Sequence, residues 1–184
     1  MDIILASASP RRKELLSKIF EDFRIIPADV DETINGDINT DLVPQYLSTI
    51  KAKAVAETNP NSLVISADTV VIHNNEILGK PKNAEDAKNM LNKLSGKAHF
   101  VITGCCIYYN GDYHSFSCKT KVTFYELSEL EIKQYIATNE CFDKAGAYGI
   151  QGYGSLLVKE IEGDYFNVVG LPVSMLNQKL KSII

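Results

Sequence analysis

Long hydrophobic runs are absent from this sequence. Its apolar stretches, such as the one from Ile3 to Ala6, hold only a few residues, whereas a helix needs about 20 consecutive apolar residues to cross a bilayer. The first residues also lack the positive charges that open a secretory signal peptide. We therefore expect a cytoplasmic protein with no membrane partner.

Cysteine is scarce, and its spacing excludes the common zinc and redox motifs. No C-x-x-C pair occurs among the four cysteines, so reduced and mostly buried thiols are expected. The three histidines lack metal-ligand spacing as well and are expected to be structural or exposed. The residues concerned are Cys105, Cys106, Cys118, Cys141, His73, His99 and His114.

An excess of positive charge is missing too. The 184 residues include 19 Lys and Arg against 23 Asp and Glu, which gives a net charge of -4. Proteins that bind nucleic acids in general depend on clustered positive charge that releases counterions, so a nucleic-acid partner is not expected. A local group of basic residues could still bind a small anion.

Several well-known catalytic motifs are absent. The sequence has no Walker A loop, no G-x-G-x-x-G and no G-x-S-x-G, which argues against standard P-loop, dinucleotide-binding and serine-hydrolase sites. It also has no internal repeat and no linker-like segment. With 45% hydrophobic residues, the chain can bury a full core, and we expect one domain over residues 1–184.

The apolar pattern predicts alternating strands and helices with some hairpins. Such a mixture favours an α/β fold with a mixed, twisted sheet and flanking helices over a purely parallel sheet. The predicted helices begin after Ser9, Thr40, Asn83, Ser128 and Pro172. The predicted strands cover residues 3–6, 63–67, 70–72, 77–78, 100–109, 113–125, 156–161 and 167–169, with turns at Asn74-Asn75 and Asn110-Gly111.

The first loop is the best local indication of a ligand. A predicted strand runs into a helix whose N-cap is Ser9 and whose first residue is Pro10. Free backbone N–H groups at a helix start favour an anion. Ser7 and Ser9 add hydroxyl donors, and Arg11 and Arg12 add guanidinium forks that match phosphate oxygens. An ordinary capped helix with two solvated arginines remains an alternative.

Acidic and basic residues elsewhere extend this indication. Asp68 follows the apolar run 63–67 and is predicted at the carboxyl end of a strand, where open α/β sheets gather ligands. The acidic group of Asp29, Asp31 and Glu32 could bind a divalent cation on phosphates, or could simply form an exposed loop. Together with two further lysines, these residues fit a metal-bound polyphosphate better than metal-free acyl chemistry. The two lysines are Lys51 and Lys80.

The segment from Leu5 to Arg12, together with Asp31-Glu32, Lys51-Ala52 and Ala67-Asp68-Thr69, closely resembles the Maf family of nucleoside triphosphate pyrophosphatases. The resemblance spans nearly the whole chain and is highly specific because its motifs occur jointly and in order. The stretch from Ala147 to Gly152 resembles the branch that prefers dTTP and UTP. The remaining motifs are Gly79-Lys80-Pro81, Thr103-Gly104, the segment from Asp143 to Gly152, and the segment from Asn167 to Pro172.

The resemblance implies two lobes around a cleft, as in the inosine triphosphate pyrophosphatase architecture, and often a homodimer. It implies cleavage of dTTP and UTP between the α and β phosphates, with a divalent metal, Mg²⁺ or Mn²⁺. By position, Asp68 would accept the proton, and Glu32 and Asp68 would hold the metal. Substrate choice would depend on Arg12, Thr69 and Gln151, and the polar cleft would be completed by Lys51, Lys80 and Lys144.

Three positions depart from the family pattern. Ser48 stands where the family usually has alanine, and Asn139 and Cys141 replace the common glycine and proline before Asp143. These changes concern packing more than the proposed roles, although the position of Lys144 becomes harder to predict.

Two other functions remain open at this level. A regulator of division or growth could bind a nucleotide at the same residues with little turnover, and pyrophosphate release from UTP would distinguish it from an enzyme. Nucleic-acid binding, suggested only by Arg11, Arg12 and scattered lysines, would require tight and salt-sensitive binding to duplex DNA.

Overall fold

The computed structural model describes residues 1–34 and 38–184. Within these residues, seven strands form one sheet. The strands are β1 (Ile3–Leu5), β2 (Arg24–Ile25), β3 (Leu63–His73), β4 (Glu76–Leu78), β5 (Ala98–Tyr109), β6 (Asp112–Phe124) and β7 (Val158–Glu162). The helices are α1 (Pro10–Leu16), α2 (Val43–Thr58), α3 (Ala84–Leu94), α4 (Glu129–Ala137), α5 (Tyr165–Val169) and α6 (Val173–Leu180).

The sheet is mixed, as the sequence predicts. Its strand order is β2-β1-β3-β5-β6-β7, with β4 paired to β3. Strand β1 runs parallel to β2 and to β3, whereas the pairs β3/β4 and β6/β7 are antiparallel. The predicted α/β class with flanking helices is therefore confirmed.

Strand β3 corrects one prediction. We expected a strand over 63–67 that ends at Asp68, but the strand continues without a break to His73. Val70, Val71 and Ile72 are buried and β-branched, so they extend the same strand beyond Asp68 and Thr69. The chain turns only at Asn74 and Asn75, whose φ angles are +50° and +64°, and the predicted hairpin to β4 forms there.

The segment before α6 corrects a second prediction. Residues 167–169 were expected to be a strand, but they belong to helix α5. Asp164 accepts a hydrogen bond from the N–H of Phe166 at 2.7 Å and so satisfies a donor at the helix start. A segment of three residues, of which only Val168 and Val169 are apolar, is too short for its period to distinguish a strand from a helix. The predicted strand that precedes this segment, 156–161, is shifted, since β7 runs from Val158 to Glu162.

Three of the predicted side-chain caps are confirmed, whereas the one at Thr40 is wrong: α2 begins at Val43 after Leu42, which makes no side-chain cap, and Thr40 belongs to a short 3-10 turn capped by Asn39. Ser9 accepts a hydrogen bond from the N–H of Arg12 at 3.4 Å, and Asn83 accepts one from Asp86 at 2.9 Å. Ser128 and Glu131 form the expected capping box at the start of α4. Among the helices of the described residues, none has both the length and the apolar character that crossing a membrane requires.

Two departures from the family pattern have a structural explanation. Asn139, which replaces a glycine, has φ = +60°, and asparagine is one of the few other residues that adopt this conformation readily. Ser48 is fully buried, and its hydroxyl donates to the carbonyl of Gln45 at 2.9 Å, so the added polar group is satisfied.

The contacts divide the chain into two compact units, and the single-domain prediction remains a prediction. The first unit comprises Met1–Thr69, Thr103–Cys118 and Gly170–Ile184, and the second comprises Val70–Ile102 and Lys119–Val169. The core of the first unit includes Ile4, Ala6, Val55, Ala56, Val64 and Tyr108. The core of the second includes Leu91, Leu94, Val122, Phe124, Ile132, Tyr135 and Tyr148.

Gly104 determines how closely helix α2 packs on strand β5 in the first unit. A Cβ atom added at Gly104 would overlap the backbone of Pro44 and Gln45, in the first turn of α2. Backbone atoms cannot move aside as the end of a flexible side chain can. Close packing of this helix on the strand therefore requires glycine at this position.

We expect Gly104→Ala to lower the free energy of unfolding by about 1–3 kcal/mol, because the added methyl group overpacks a backbone contact. Gly79→Ala is the matched control, since a Cβ added there has no neighbour within 4 Å. Urea unfolding of both variants measures the difference. Equal stability of the two variants would contradict this account of the helix packing.

Candidate active site

The loop after strand β1 forms one wall of the candidate site. Its first polar residue, Ser7, is buried, and its hydroxyl accepts hydrogen bonds from the Ser9 N–H at 3.3 Å and from Arg12 Nη1 at 3.2 Å. Ser9 caps helix α1, so the loop is bound at both of its serines. This arrangement fixes the chain that carries Arg12.

Arg12 is held by neutral acceptors on three sides. Its Nε donates to the carbonyl of Gly170 at 2.9 Å, and its Nη2 donates to Thr69 Oγ1 at 3.0 Å, in addition to the bond to Ser7. Burial lowers the pKa of the guanidinium, and the nearby Asp68 acts in the opposite direction. Arginine remains protonated at neutral pH. Arg12 therefore presents a rigid positive charge that its three hydrogen-bond acceptors do not neutralise.

Thr103 supports this arrangement and was missed among the candidate site residues. Its hydroxyl lies 2.9 Å from Thr69 Oγ1, the same atom that accepts from Arg12. Thr103 is fully buried in β5. A threonine hydroxyl in an otherwise apolar run was the available signal, since a buried hydroxyl needs a partner.

Lys51 joins the two candidate carboxylates. Its Nζ lies 2.6 Å from Asp68 Oδ1 and 3.0 Å from Glu32 Oε1. The side chains of Lys51 and Asp68 are each only 12% exposed, whereas that of Glu32 is 55% exposed. Exclusion of water from the inner pair strengthens this contact relative to an exposed one.

The two carboxylates are the residues here that could hold a metal. Asp68 and Glu32 each place an oxygen on one lysine nitrogen. Within residues 1–34 and 38–184, no group of three or more His, Cys, Asp or Glu side chains is arranged to hold an ion. Mg²⁺ is commonly bound by one or two carboxylates together with substrate phosphates. The donor set therefore fits a cation that is shared with a phosphate chain.

The predicted site residues of the first unit form two connected groups: hydrogen bonds join Ser7, Ser9, Arg12 and Thr69, and ion pairs join Glu32, Lys51 and Asp68. Arg12 contacts Ser7 and Thr69, and Thr69 follows Asp68 in strand β3. Arg11 lies beside Arg12 in α1 and is partly buried. The predicted residues of this unit are Ser7, Ser9, Arg11, Arg12, Glu32, Lys51, Asp68 and Thr69.

The other three predicted residues, Lys80, Lys144 and Gln151, lie in the second unit. Lys80 and Gln151 are exposed. The ammonium of Lys144 donates to the carbonyl of Glu140 at 2.5 Å and to Asp143 Oδ1 at 2.7 Å. In this structure Lys144 therefore stabilises its own loop, and its contact with a substrate stays a prediction.

A buried aromatic cluster includes Tyr148, which lies three residues before Gln151 in the chain. His99 Nε2 and the hydroxyl of Tyr148 are 2.7 Å apart, and Phe124 packs edge-on against both rings. His99 is 1% exposed, and its Nδ1 is a buried atom with no hydrogen-bond partner among the described residues. Burial lowers the pKa of His99 to about 3, so its imidazole is neutral at physiological pH.

Together, these contacts define a class of site. On an α/β fold, a fixed guanidinium, a lysine between two carboxylates and nearby hydroxyl groups are suited to stabilising charge on a phosphate chain and to holding a cation on it. The family model described as "Maf-like protein" matches residues 2–183. The chain belongs to the Maf family.

Individual relatives agree with this assignment. A dTTP/UTP pyrophosphatase from Bacillus cereus is 50% identical over 179 residues, which are 97% of this chain and 94% of the relative. A dTTP/UTP pyrophosphatase from Geobacillus sp. is 51% identical over 181 residues, 98% of this chain and 97% of the relative. The solved structure of the Staphylococcus aureus Ham1 protein has a TM-score of 0.60 at 15% identity, with 100% of both chains covered, and so shares the fold.

The buried histidine makes stability depend on pH in a defined direction. Between about pH 6 and pH 4 the unfolded chain binds a proton at His99 that the folded chain does not bind. The free energy of unfolding should therefore fall with decreasing pH, by up to about 1.4 kcal/mol per pH unit from this group. In His99→Phe the fall should be shallower by that amount, as measured by urea unfolding at several pH values.

The matched control is His114→Phe, which replaces an exposed histidine on strand β6. It should keep the wild-type dependence on pH. If His99→Phe and wild type lose stability equally between pH 6 and pH 4, the buried imidazole is not the cause.

Proposed function

We propose that this protein is a nucleoside triphosphate pyrophosphatase that hydrolyses dTTP and UTP to the monophosphate and pyrophosphate. The observation that carries the proposal is the Lys51 bridge between Asp68 and Glu32, next to the fixed guanidinium of Arg12. The relatives that bear this activity in their names align over almost the whole chain. We also propose a cytoplasmic location and a homodimeric state, as the family resemblance implies.

Arg12 is proposed to bind the phosphate chain. It needs little rearrangement, because its neutral partners Ser7, Thr69 and Gly170 already fix the fork. Binding energy is therefore not spent on ordering a long side chain. Ser9 and Arg11 would add further contacts to the phosphates from the same loop and helix.

Asp68 is proposed to orient and deprotonate the attacking water. The water oxygen forms a bond to the α phosphorus while the bond from that phosphorus to the bridging oxygen breaks. Pyrophosphate then leaves with the bond electrons, and the proton passes to the Asp68 carboxylate and later to solvent. A carboxylate held in a partly buried position by one lysine suits this role, because its orientation is fixed.

Glu32 and Asp68 would hold a divalent cation, Mg²⁺ or Mn²⁺, which when bound neutralises charge on the phosphates. Lys51 occupies both carboxylates in the free protein. To admit the cation, its ammonium would give up at least one of these contacts and move to a phosphate oxygen. Lys51 would then act as a phosphate ligand, whereas in the structure it is the counter-ion of both carboxylates.

Base selection is assigned to Gln151, with Arg12 and Thr69 as the other residues that the family resemblance connects with substrate choice. A glutamine amide offers an acceptor and two donors, which can pair with the N3–H and O4 of uracil or thymine. Lys80 and Lys144 are proposed phosphate contacts. For Lys144 this requires that its ammonium exchange Asp143 for a phosphate oxygen.

Asp68→Asn tests the proposed activity directly. Wild type should release pyrophosphate, and not orthophosphate, from UTP and dTTP with Mg²⁺ or Mn²⁺. The variant should lose roughly a hundredfold or more in kcat, because general-base catalysis typically contributes that much. The exposed Asp112→Asn is the control. Nucleotide binding by wild type without pyrophosphate release would instead favour the regulator, and a variant within about tenfold of wild type would remove Asp68 from its role.

Lys51→Met should separate metal binding from turnover. Without the competing ammonium, Mn²⁺ should bind the nucleotide-free protein about tenfold more tightly, given the size of the repulsion between close charges, as measured by electron paramagnetic resonance. Turnover should fall because a phosphate ligand is lost. Lys53→Met, an exposed change on the same helix, is the control. Unchanged or weaker Mn²⁺ binding would show that Lys51 does not compete with the cation.

A further inference from the structure

The segment that carries Gln151 is a closed turn. A Cβ atom added at Gly154 would overlap the carbonyl oxygen of Gly149, so the backbones of these two residues are in direct contact. Gln151 and Gly152 lie between the two ends and are exposed. Because the ends are in contact, a displacement of either end displaces Gln151.

Glu140 holds the second end of this turn. One carboxylate oxygen accepts from the N–H of Tyr153 at 2.9 Å, and the other accepts from the N–H of Gly154 at 3.2 Å. Glu140 itself follows helix α4 and is half-buried. Two hydrogen bonds from successive backbone donors to one carboxylate are charge-assisted and specify its orientation.

Gly152 brings the same carboxylate close to the turn. Its φ is +61°, and an added Cβ would lie 2.5 Å from Glu140 Oε2. The position therefore requires glycine both for its backbone conformation and for the approach of Glu140. The Glu140 carboxylate therefore lies against Gly152, the residue that follows Gln151.

The first end of the turn is held separately. The N–H of Gly149 donates to the hydroxyl of Tyr135 at 3.3 Å, and the stem of Lys144 packs where a Cβ of Gly149 would lie. The backbone is thus anchored on both sides of Gln151, while Gln151 itself is exposed. This is the arrangement expected of a recognition side chain on a preorganised loop.

From this geometry we infer that Glu140 is a positioning residue for base selection: its carboxylate fixes the 153–154 backbone and thereby sets the orientation of Gln151. The inference rests on the proposed function, in which Gln151 contacts the pyrimidine base. Glu140 acts through the turn and does not itself touch the substrate. Its removal should affect the choice between bases more than the rate of cleavage.

Glu140→Gln tests this inference with little change of shape. The amide can accept only one of the two backbone N–H groups and turns a donor towards the other. We expect the KM for UTP to rise about tenfold with kcat within about threefold of wild type, and the preference for UTP over CTP to fall about tenfold in kcat/KM. The control is Glu160→Gln, an exposed change on strand β7 that should leave all three values unchanged.

A second variant displaces the same carboxylate from the opposite side. Gly152→Ala places a methyl group against Glu140 Oε2 and should give the same loss of preference. Hydrogen exchange at the amides of Tyr153 and Gly154 should become faster in both variants, and thermal unfolding of each reports on the global fold. If Glu140→Gln accelerates exchange at these amides but leaves the UTP to CTP preference intact, Glu140 is merely structural and the inference is wrong.

The outcome also separates this inference from the proposed function. Wild type that releases no pyrophosphate from UTP contradicts the proposed function itself. Wild type that is active and prefers UTP, combined with a Glu140→Gln variant of unchanged preference, contradicts only the role of Glu140. A fall in kcat of a hundredfold with unchanged KM would likewise overturn it, because the carboxylate would then serve the chemical step.

Discussion

The contact between the Lys51 ammonium and the Asp68 carboxylate is the interaction on which the candidate site depends. It joins helix α2 to the middle of strand β3, and both side chains are mostly shielded from water. A carboxylate in such a position would be costly without a partner. The lysine makes it possible to keep an ionised base inside the fold, and Glu32 shares the same ammonium from a more exposed position. The chemistry proposed for Asp68 is therefore a consequence of how α2 packs.

That packing has its own requirement in the strand beside β3. Gly104 allows the first turn of α2 to lie directly on β5, and Lys51 follows two turns later on the same helix. Thr103, the residue before Gly104, joins the hydroxyl chain to Thr69 and Arg12. Two adjacent residues of β5 thus support the two positive groups of the site. Gly104 supports Lys51 through the packing of α2, and Thr103 supports Arg12 through its hydrogen bond with Thr69.

Much of this could be predicted from sequence, because the relevant signals are local. The caps at Ser9, Asn83 and Ser128 and the turn at Asn110-Gly111 follow from the chemistry of single residues, and the structure has them where they were expected. The extent of β3 was not predictable in the same way. When only its neighbours in the sequence are considered, Asp68 resembles the end of a strand. The structure shows that β3 continues past Asp68 to His73 as one mostly buried strand.

The same distinction between local signals and tertiary contacts applies to the candidate site. Residue types at Arg12, Lys51 and Asp68 suggested a phosphate site, whereas their mutual contacts depend on tertiary structure and could not be derived from spacing. The role of Thr103 belongs to this second group, whereas Lys144 is held by residues close to it in sequence, Glu140 and Asp143. A hydrogen bond between residues 34 positions apart leaves no periodic trace in the sequence.

The two compact units carry different parts of the proposed activity. Asp68 and most of the charged groups proposed for phosphate binding lie in the first unit, whereas the proposed phosphate contacts Lys80 and Lys144 and the turn that carries Gln151 lie in the second. The anchors of that turn, Glu140, Tyr135 and Lys144, also belong to the second unit, and none of them contributes to the contacts of Asp68. Substitutions of Glu140 or Tyr135 should therefore change the proposed base selection without altering the contacts of Asp68. Under the proposed function, base preference therefore depends in part on the backbone of a short turn whose anchors are separate from the groups around Asp68.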